Sequence, residues 1–143
     1  MQKQTRMGRP WGNCLEACYA VLLGADVEDI PDLRVDEALA QGRGEDELAE
    51  AMLAKRPAYL RRLLRAAGYR VLQGPGYPPS RALARSITPG WWIGHGPADR
   101  GHHHAVLYRG RAPHPRACAW DPYPGGNGLQ QVASWTVVLP PAG

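Results

Sequence analysis

Three residues whose types suit nucleophilic catalysis occur in the order Cys, His, Asp along this chain: Cys14, His104 and Asp121. Cys14 directly follows Asn13, a good helix N-cap, so the sequence predicts that Cys14 lies in the first turn of a helix. Unpaired backbone N–H groups and the helix dipole favour negative charge there, which should lower the thiol pKa and favour the thiolate. A small buried cysteine with a purely structural role fits the same position.

A thiolate nucleophile needs a partner that transfers protons, usually a histidine that a third group holds in place. The apolar run 104–108 predicts a β-strand, and His104 begins it, so neighbouring strands should fix its position. His102 and His103 precede this strand in a glycine-flanked loop, and we therefore expect His104 to be the partner of Cys14. Strand periodicity alone does not choose which side of the strand faces the site.

Asp121 is the candidate third member of this group. It follows the apolar run 117–120, which predicts a strand, and it precedes Pro122. A carboxylate at the end of a strand beside the His104 strand would accept the second imidazole N–H. An ordinary Asp-Pro turn is the structural alternative for this residue.

Three short runs of sequence contain these residues and together form a recognisable pattern. The runs are Gly12-Asn13-Cys14-Leu15-Glu16-Ala17-Cys18, His104-Ala105-Val106 and Trp120-Asp121-Pro122. Their order and content resemble the papain-like cysteine peptidases, and in particular the small bacterial and phage proteins related to the bacteriocin-processing C39 peptidases. The resemblance implies Cys14 as nucleophile, His104 as base and acid, and Asp121 as the residue that orients the imidazole.

The same resemblance implies a glutamine upstream of the nucleophile that helps to hold the oxyanion. Gln4 is the nearest candidate and Gln2 the next, and both lie farther from Cys14 than the usual spacing. The backbone N–H of Cys14, at a helix N-terminus, is a second candidate donor. The chain departs from the C39 pattern by having Asn13 and Leu15 where that pattern has Asp and Gly.

The elements that would position these residues are helices in the N-terminal half and strands in the C-terminal half. The predicted helices cover 14–23, roughly 44–55 and roughly 57–67, with Gly24 and Gly68 as stops. The predicted strands cover 69–72, 91–94, 104–108, 117–120 and 134–139, and the segments 74–79 and 125–128 are predicted loops. This pattern predicts one α+β domain over residues 1–143. The resemblance implies a papain-like arrangement, with the N-terminal helices packed on a C-terminal antiparallel sheet.

Charge and composition restrict the partners. The net charge is +4, and arginine supplies nearly all of the positive charge. Arg61, Arg62 and Arg65 share one predicted helix, but solvated helix faces usually look like this, so nucleic acid is disfavoured as a partner. The adjacent histidines 102–104 point to alternate sides of an extended chain, and no CxxC or HExxH spacing occurs, so we predict no metal and no cofactor. The sequence lacks a signal peptide and a long apolar run, which predicts a cytoplasmic protein with reduced thiols and no membrane partner.

These features predict a cysteine hydrolase that cleaves a peptide or other amide bond in a peptide or protein substrate through a thioester intermediate. Two alternatives stay open: a catalytically silent peptide- or protein-binding module of the same fold, and a deamidase or acyltransferase with the same triad. Trp91, Trp92 and Tyr123 are candidate walls of a substrate cleft, although at least one tryptophan should pack in the core. The sequence does not indicate an oligomeric state.

Overall fold

A four-stranded antiparallel sheet organises the part of the chain that the computed structural model describes, which is residues 14–25, 60–62, 64–99, 101 and 103–141. Its strands are β1 (Arg70–Pro75), β2 (Trp91–Pro97), β3 (His103–Arg109) and β4 (Ser134–Leu139), in the spatial order β1-β4-β2-β3. Every neighbouring pair is antiparallel. The described residues therefore form an α+β structure, as the sequence predicted.

The first helix, α1 (Cys14–Leu23), packs against β3. Seven of its ten residues are buried, so α1 is a core helix that covers one face of the sheet. Its sequence contains no Gly or Pro, and it ends at Gly24, whose φ of +68° suits glycine. The predicted bounds and the predicted stop of this helix are confirmed.

The sheet separates two apolar cores, because successive side chains of a strand point to opposite faces. On the α1 side, which we call the near core, Ile93, Leu107 and Val138 pack against the helix. On the opposite side, the far core, Trp92 stacks on Tyr108 with ring centroids 4.5 Å apart. The near core fixes the position of α1 relative to β3, which carries His104.

Residues 60–62 and 64–66 are helical, and Gly68 after them has a φ of +97°, in agreement with the predicted stop. Leu60 and Leu64 of this segment are buried in the near core. The predicted helix at 44–55 lies outside the described residues.

Two predicted segments differ from the structure, β2 runs three residues beyond its predicted end at Gly94, and one helix was not predicted. The segment 117–120 is not a strand: it leaves a turn at 113–116, whose His114 carbonyl accepts the Ala117 N–H, and only Trp120 pairs, in an isolated bridge with Leu107 of β3. β1 continues through Gly74 and Pro75, which were predicted to be loop, because β4 pairs with it along its full length. A short helix, α2 (Ser80–Ala84), follows the prolines of the predicted loop and was not predicted.

No helix among the described residues combines the length and the apolar character needed to cross a membrane.

Candidate active site

His104 and Asp121 form a buried hydrogen-bonded pair. His104 is the second residue of β3, and the backbone of Trp120 pairs with Leu107 of the same strand, with Leu107 N–H donating to the Trp120 carbonyl at 2.9 Å. This bridge brings the next residue, Asp121, alongside β3. His104 Nε2 lies 2.7 Å from Asp121 Oδ1, and the two residues are only 5% and 6% exposed.

The Asp121 carboxylate accepts two further hydrogen bonds from the backbone. The Tyr123 N–H donates to Oδ1 at 2.8 Å, and the Gly128 N–H donates to Oδ2 at 2.9 Å. Burial raises the pKa of this carboxyl, but the hydrogen bond from His104, the charge of His104 and these two N–H groups lower it by more, so the pKa lies below its ordinary value. Asp121 is therefore a carboxylate at neutral pH and both oxygens are held in place.

The loop after Asp121 folds back over the carboxylate at Gly126. A Cβ atom at Gly126 would lie 2.3 Å from Asp121 Oδ2, which is too close for any side chain. Residues 125–128 were predicted from sequence only as a loop, and this role of Gly126 was not predicted. The signal that points to it is an Asp-Pro turn followed by glycines, because an Asp side chain often accepts the N–H two residues on and a glycine lets the backbone approach it.

Cys14 is the first residue of α1 and is half-buried. Its side chain hydrogen-bonds the His104 imidazole. Since Asp121 occupies Nε2, the ring nitrogen that remains for the Cys14 sulfur is Nδ1. The structure thus brings together the three residues predicted from sequence, with the imidazole between the sulfur and the carboxylate.

The electrostatics of this group favour the charged imidazolium. Burial lowers the His104 pKa, but the hydrogen bond to Asp121, the hydrogen bond to Cys14 and the negative charges of both partners raise it from 6.5 to about 9. The interaction between two charged groups is mutual, so an imidazolium at His104 also favours the thiolate form of Cys14.

The other two thiols have different surroundings. Cys18 is fully buried one turn deeper in α1, and burial, followed by the charge of Cys14, raises its thiol pKa well above the usual value. Cys118 is half-buried and packs against the far core. None of the three cysteines, all of which lie in the described part of the chain, forms a disulfide.

Cys14 and His104 open onto a cavity of about 580 Å³. Tyr19 of α1, Gln73 of β1 and His95 of β2 line it as well, and so does Trp135 of β4, which packs in the far core. His95 Nε2 lies 2.9 Å from Thr136 Oγ1 of β4, a pair that joins the two central strands at the cavity wall. The described residues thus leave open space beside the Cys14 and His104 side chains.

None of the three predicted aromatic walls lines this cavity. Trp92 is fully buried in the far core, on the opposite face of the sheet, and does not line this cavity. Trp91 packs against the near core. Tyr123 approaches the His104 ring edge-on, with ring centroids 6.5 Å apart, so it packs beside the imidazole and does not line the cavity.

Three further residues considered from the sequence, Gln4, Gln2 and His102, lie outside the described residues. His103 is exposed at the cavity, and His114 is exposed at the surface. Among the described residues, no group of three or more His, Cys, Asp or Glu side chains is arranged to hold a metal ion.

The role of the Cys14, His104 and Asp121 group is inferred from its geometry and chemistry. No family model, curated protein or solved structure matches this chain.

Proposed function

We propose that this protein is a papain-like cysteine hydrolase that cleaves a peptide or other amide bond through Cys14, His104 and Asp121. The observation that carries the proposal is the buried 2.7 Å contact between His104 Nε2 and Asp121 Oδ1, on an imidazole that is also hydrogen-bonded to Cys14. A cysteine with a purely structural role would require neither a neighbouring histidine with a raised pKa nor a buried carboxylate hydrogen-bonded to that histidine. The sequence resemblance to papain-like peptidases, described above, supports the same chemistry.

In the proposed acylation step, the Cys14 thiolate attacks the carbonyl carbon of the scissile amide and forms a tetrahedral oxyanion. The C–N bond then breaks, and the His104 imidazolium gives its proton to the departing amine. The products of this step are an acyl thioester on Cys14, a free amine and a neutral imidazole. The backbone N–H groups at the start of α1 are suited to hold the oxyanion, because the helix dipole favours negative charge at a helix N-terminus.

In the proposed deacylation step, a water molecule attacks the thioester carbonyl while neutral His104 takes one of its protons. The C–S bond breaks, and the thiolate–imidazolium pair is restored with release of the acid. Asp121 keeps its charge throughout and holds the imidazole with Nδ1 towards the sulfur. A deamidase would follow the same path on a side-chain amide, and an acyltransferase would replace water by another acceptor.

The first test measures the alkylation rate of each cysteine with iodoacetamide at pH 7 by peptide mass mapping. A free thiol is only a few per cent ionised at this pH, and a fully formed thiolate of lower intrinsic nucleophilicity should react about tenfold faster. We expect Cys14 to show this enhancement and Cys18 to remain unmodified in the folded protein. His104→Ala should remove the enhancement, whereas the matched neighbour variant His103→Ala should keep the rate within about threefold.

The second test asks for turnover with the activated ester p-nitrophenyl acetate. We expect intact-mass spectra to show an acetyl adduct on Cys14 that disappears with time in the parent and persists in Asp121→Asn. An unreactive Cys14 would contradict the proposal and favour the catalytically silent binding module. Loss of reactivity in His103→Ala and not in His104→Ala would show that the proton-transferring histidine is assigned wrongly.

A further inference from the structure

A second cation faces the cavity from outside the catalytic group. Arg61, in the helical segment that precedes β1, is half-buried and lines the same cavity as Cys14. With three histidines, His95, His103 and His104, Arg61 gives the cavity four basic residues, and no Asp or Glu occurs among the described residues that line it. The cavity is therefore suited electrostatically to an anionic group.

The uncharged polar groups of the cavity agree with this preference. Gln73, Ser134 and Tyr19 present an amide and two hydroxyls, all of which can donate hydrogen bonds to an anion. Cys14 lies at the N-terminus of α1, where the helix dipole also favours negative charge. A carboxylate that enters beside the sulfur would meet donors from the helix, from β1 and from β4.

The charge of Arg61 already acts on another group of this cavity. Burial raises the pKa of the Tyr19 hydroxyl, and the positive charge of Arg61 opposes that rise. Tyr19 lies one helical turn after Leu15, which also lines the cavity. The guanidinium is thus close enough to stabilise negative charge within the site, and its planar fork matches the two oxygens of a carboxylate.

We infer that Arg61 is a specificity-determining residue that binds a carboxylate of the substrate. The enzyme would then prefer amides that carry a negative charge near the bond that Cys14 attacks. The preference among cleaved amides rests on the proposed function. Binding of a carboxylate by Arg61 depends only on the cavity. The carboxylate belongs either to an acidic side chain or to a chain terminus of the substrate.

The test uses two alkylating probes of nearly equal size, anionic iodoacetate and neutral iodoacetamide, on the full-length protein. The readout is the ratio of their rates at Cys14, measured at low ionic strength. We expect Arg61→Gln to lower this ratio about three- to fivefold, because one screened charge at cavity distances has an effect of that order. Arg61→Lys, which keeps the charge, should retain most of the preference, and added salt should reduce it.

Arg62→Gln is the matched control, since Arg62 is the exposed next residue of the same helical segment and does not line the cavity. Its ratio should equal that of the parent. An equal loss in both variants would overturn the inference in favour of a general surface potential, and an unchanged ratio in Arg61→Gln would overturn it outright. A slow Cys14 reaction with neutral iodoacetamide in every variant would contradict the proposed hydrolase and leave the comparison of ratios intact.

A protection experiment distinguishes the source of the carboxylate. N-acetylglutamine carries only a terminal carboxylate, N-acetylisoglutamine carries only a side-chain carboxylate, and N-acetylglutaminamide carries neither. We expect one of the two acids to slow iodoacetamide modification of Cys14 more than the neutral diamide does, and that acid identifies the source. The difference should disappear in Arg61→Gln. Equal protection by all three compounds would contradict the inference.

Discussion

The two ring nitrogens of His104 have different partners, and these partners determine the orientation and the favoured protonation state of the ring. Nε2 bonds a carboxylate that is itself fixed by two backbone N–H groups, so the ring cannot rotate without breaking a buried bond. Nδ1 is left for the Cys14 sulfur. In the protonated ring both nitrogens donate, and each proton then points at a negative group. The site is therefore built for the imidazolium form.

We predict that Asp121→Asn lowers the His104 pKa from about 9 towards 6.5, because the largest interaction that raises it is the bond to the carboxylate. Folding raises this pKa, so protonated His104 stabilises the fold fully below pH 6.5, and the contribution is lost as pH rises through 9. The difference in unfolding free energy between parent and variant should thus be larger at pH 6 than at pH 10, by about 1–3 kcal/mol. NMR titration of the ring and urea denaturation measure the two effects.

Asp99→Asn is the control for this prediction. Asp99 is also a carboxylate in an ion pair, with Arg116 at 2.6 Å, but the pair is exposed at the surface. Its removal should leave the His104 titration unchanged. An equal shift of the His104 pKa in both variants would show that net charge, and not the buried contact, controls this histidine.

Among the elements, the loop 121–128 has the strictest steric requirement, at Gly126. We predict that Gly126→Ala displaces the Asp121 carboxylate, because the new Cβ would lie 2.3 Å from Oδ2. The enhanced alkylation of Cys14 should fall several-fold, and the unfolding free energy should fall by about 1–3 kcal/mol because buried hydrogen bonds are lost. Alkylation kinetics and urea denaturation test both parts.

Gly125→Asn is the matched control in the same loop. Gly125 has a φ of +73°, which Asn tolerates better than most residues, and nothing lies within 4 Å of a Cβ placed there. This variant should keep most of the Cys14 reactivity. If Gly126→Ala also kept full reactivity, the loop would not be what holds Asp121 in position.

The elements differ in how well the sequence predicted them, for identifiable reasons. α1 and β4 were predicted with their observed bounds because each has an uninterrupted pattern between turn residues. The predicted strand at 117–120 was wrong because a turn at 113–116 still holds the Ala117 N–H on the His114 carbonyl, so that only Trp120 pairs before Asp121-Pro122 turns the chain. α2 was missed because its first residue follows two prolines that normally indicate a loop.

The residues of the site that have a characteristic chemistry and local sequence could be predicted. Those whose role depends only on tertiary contacts could not. Cys14, His104 and Asp121 each have a characteristic local setting, and the structure brings the three together. Arg61 and Gly126 have no such setting. An arginine on a helix and a glycine in a loop become significant only when the cavity and the Asp121 carboxylate are in place.

For the whole molecule, the site depends on long-range packing. Trp120 pairs directly with β3, but α1 comes from a distant part of the chain and is held beside both through the near core. We predict that the enhanced reactivity of Cys14 and the protection of Cys18 are lost at the same urea concentration, because Cys18 is fully buried between α1 and the sheet. Pulsed alkylation across a urea series, followed by peptide mapping, measures both thiols in one sample.

The thiol Cys118 is an internal reference in this experiment, since it is half-buried against the far core. It should react at an intermediate rate before the transition. Loss of the Cys14 enhancement at a urea concentration well below the exposure of Cys18 would show that the site opens locally, independently of the core.

The position of β4 in the sheet determines when, during synthesis of the chain, the surroundings of Cys14 can form. β4 follows the other described strands along the chain, yet it lies between β1 and β2 and is the strand that joins them. A ribosome that has translated the chain as far as residue 133 has made all three catalytic candidates, but the centre of the sheet is still missing. A nascent chain arrested there should leave Cys18 open to alkylation. The proposed catalytic group would therefore not be assembled until Ser134–Leu139 has left the exit tunnel, which would keep the Cys14 thiol unreactive until then.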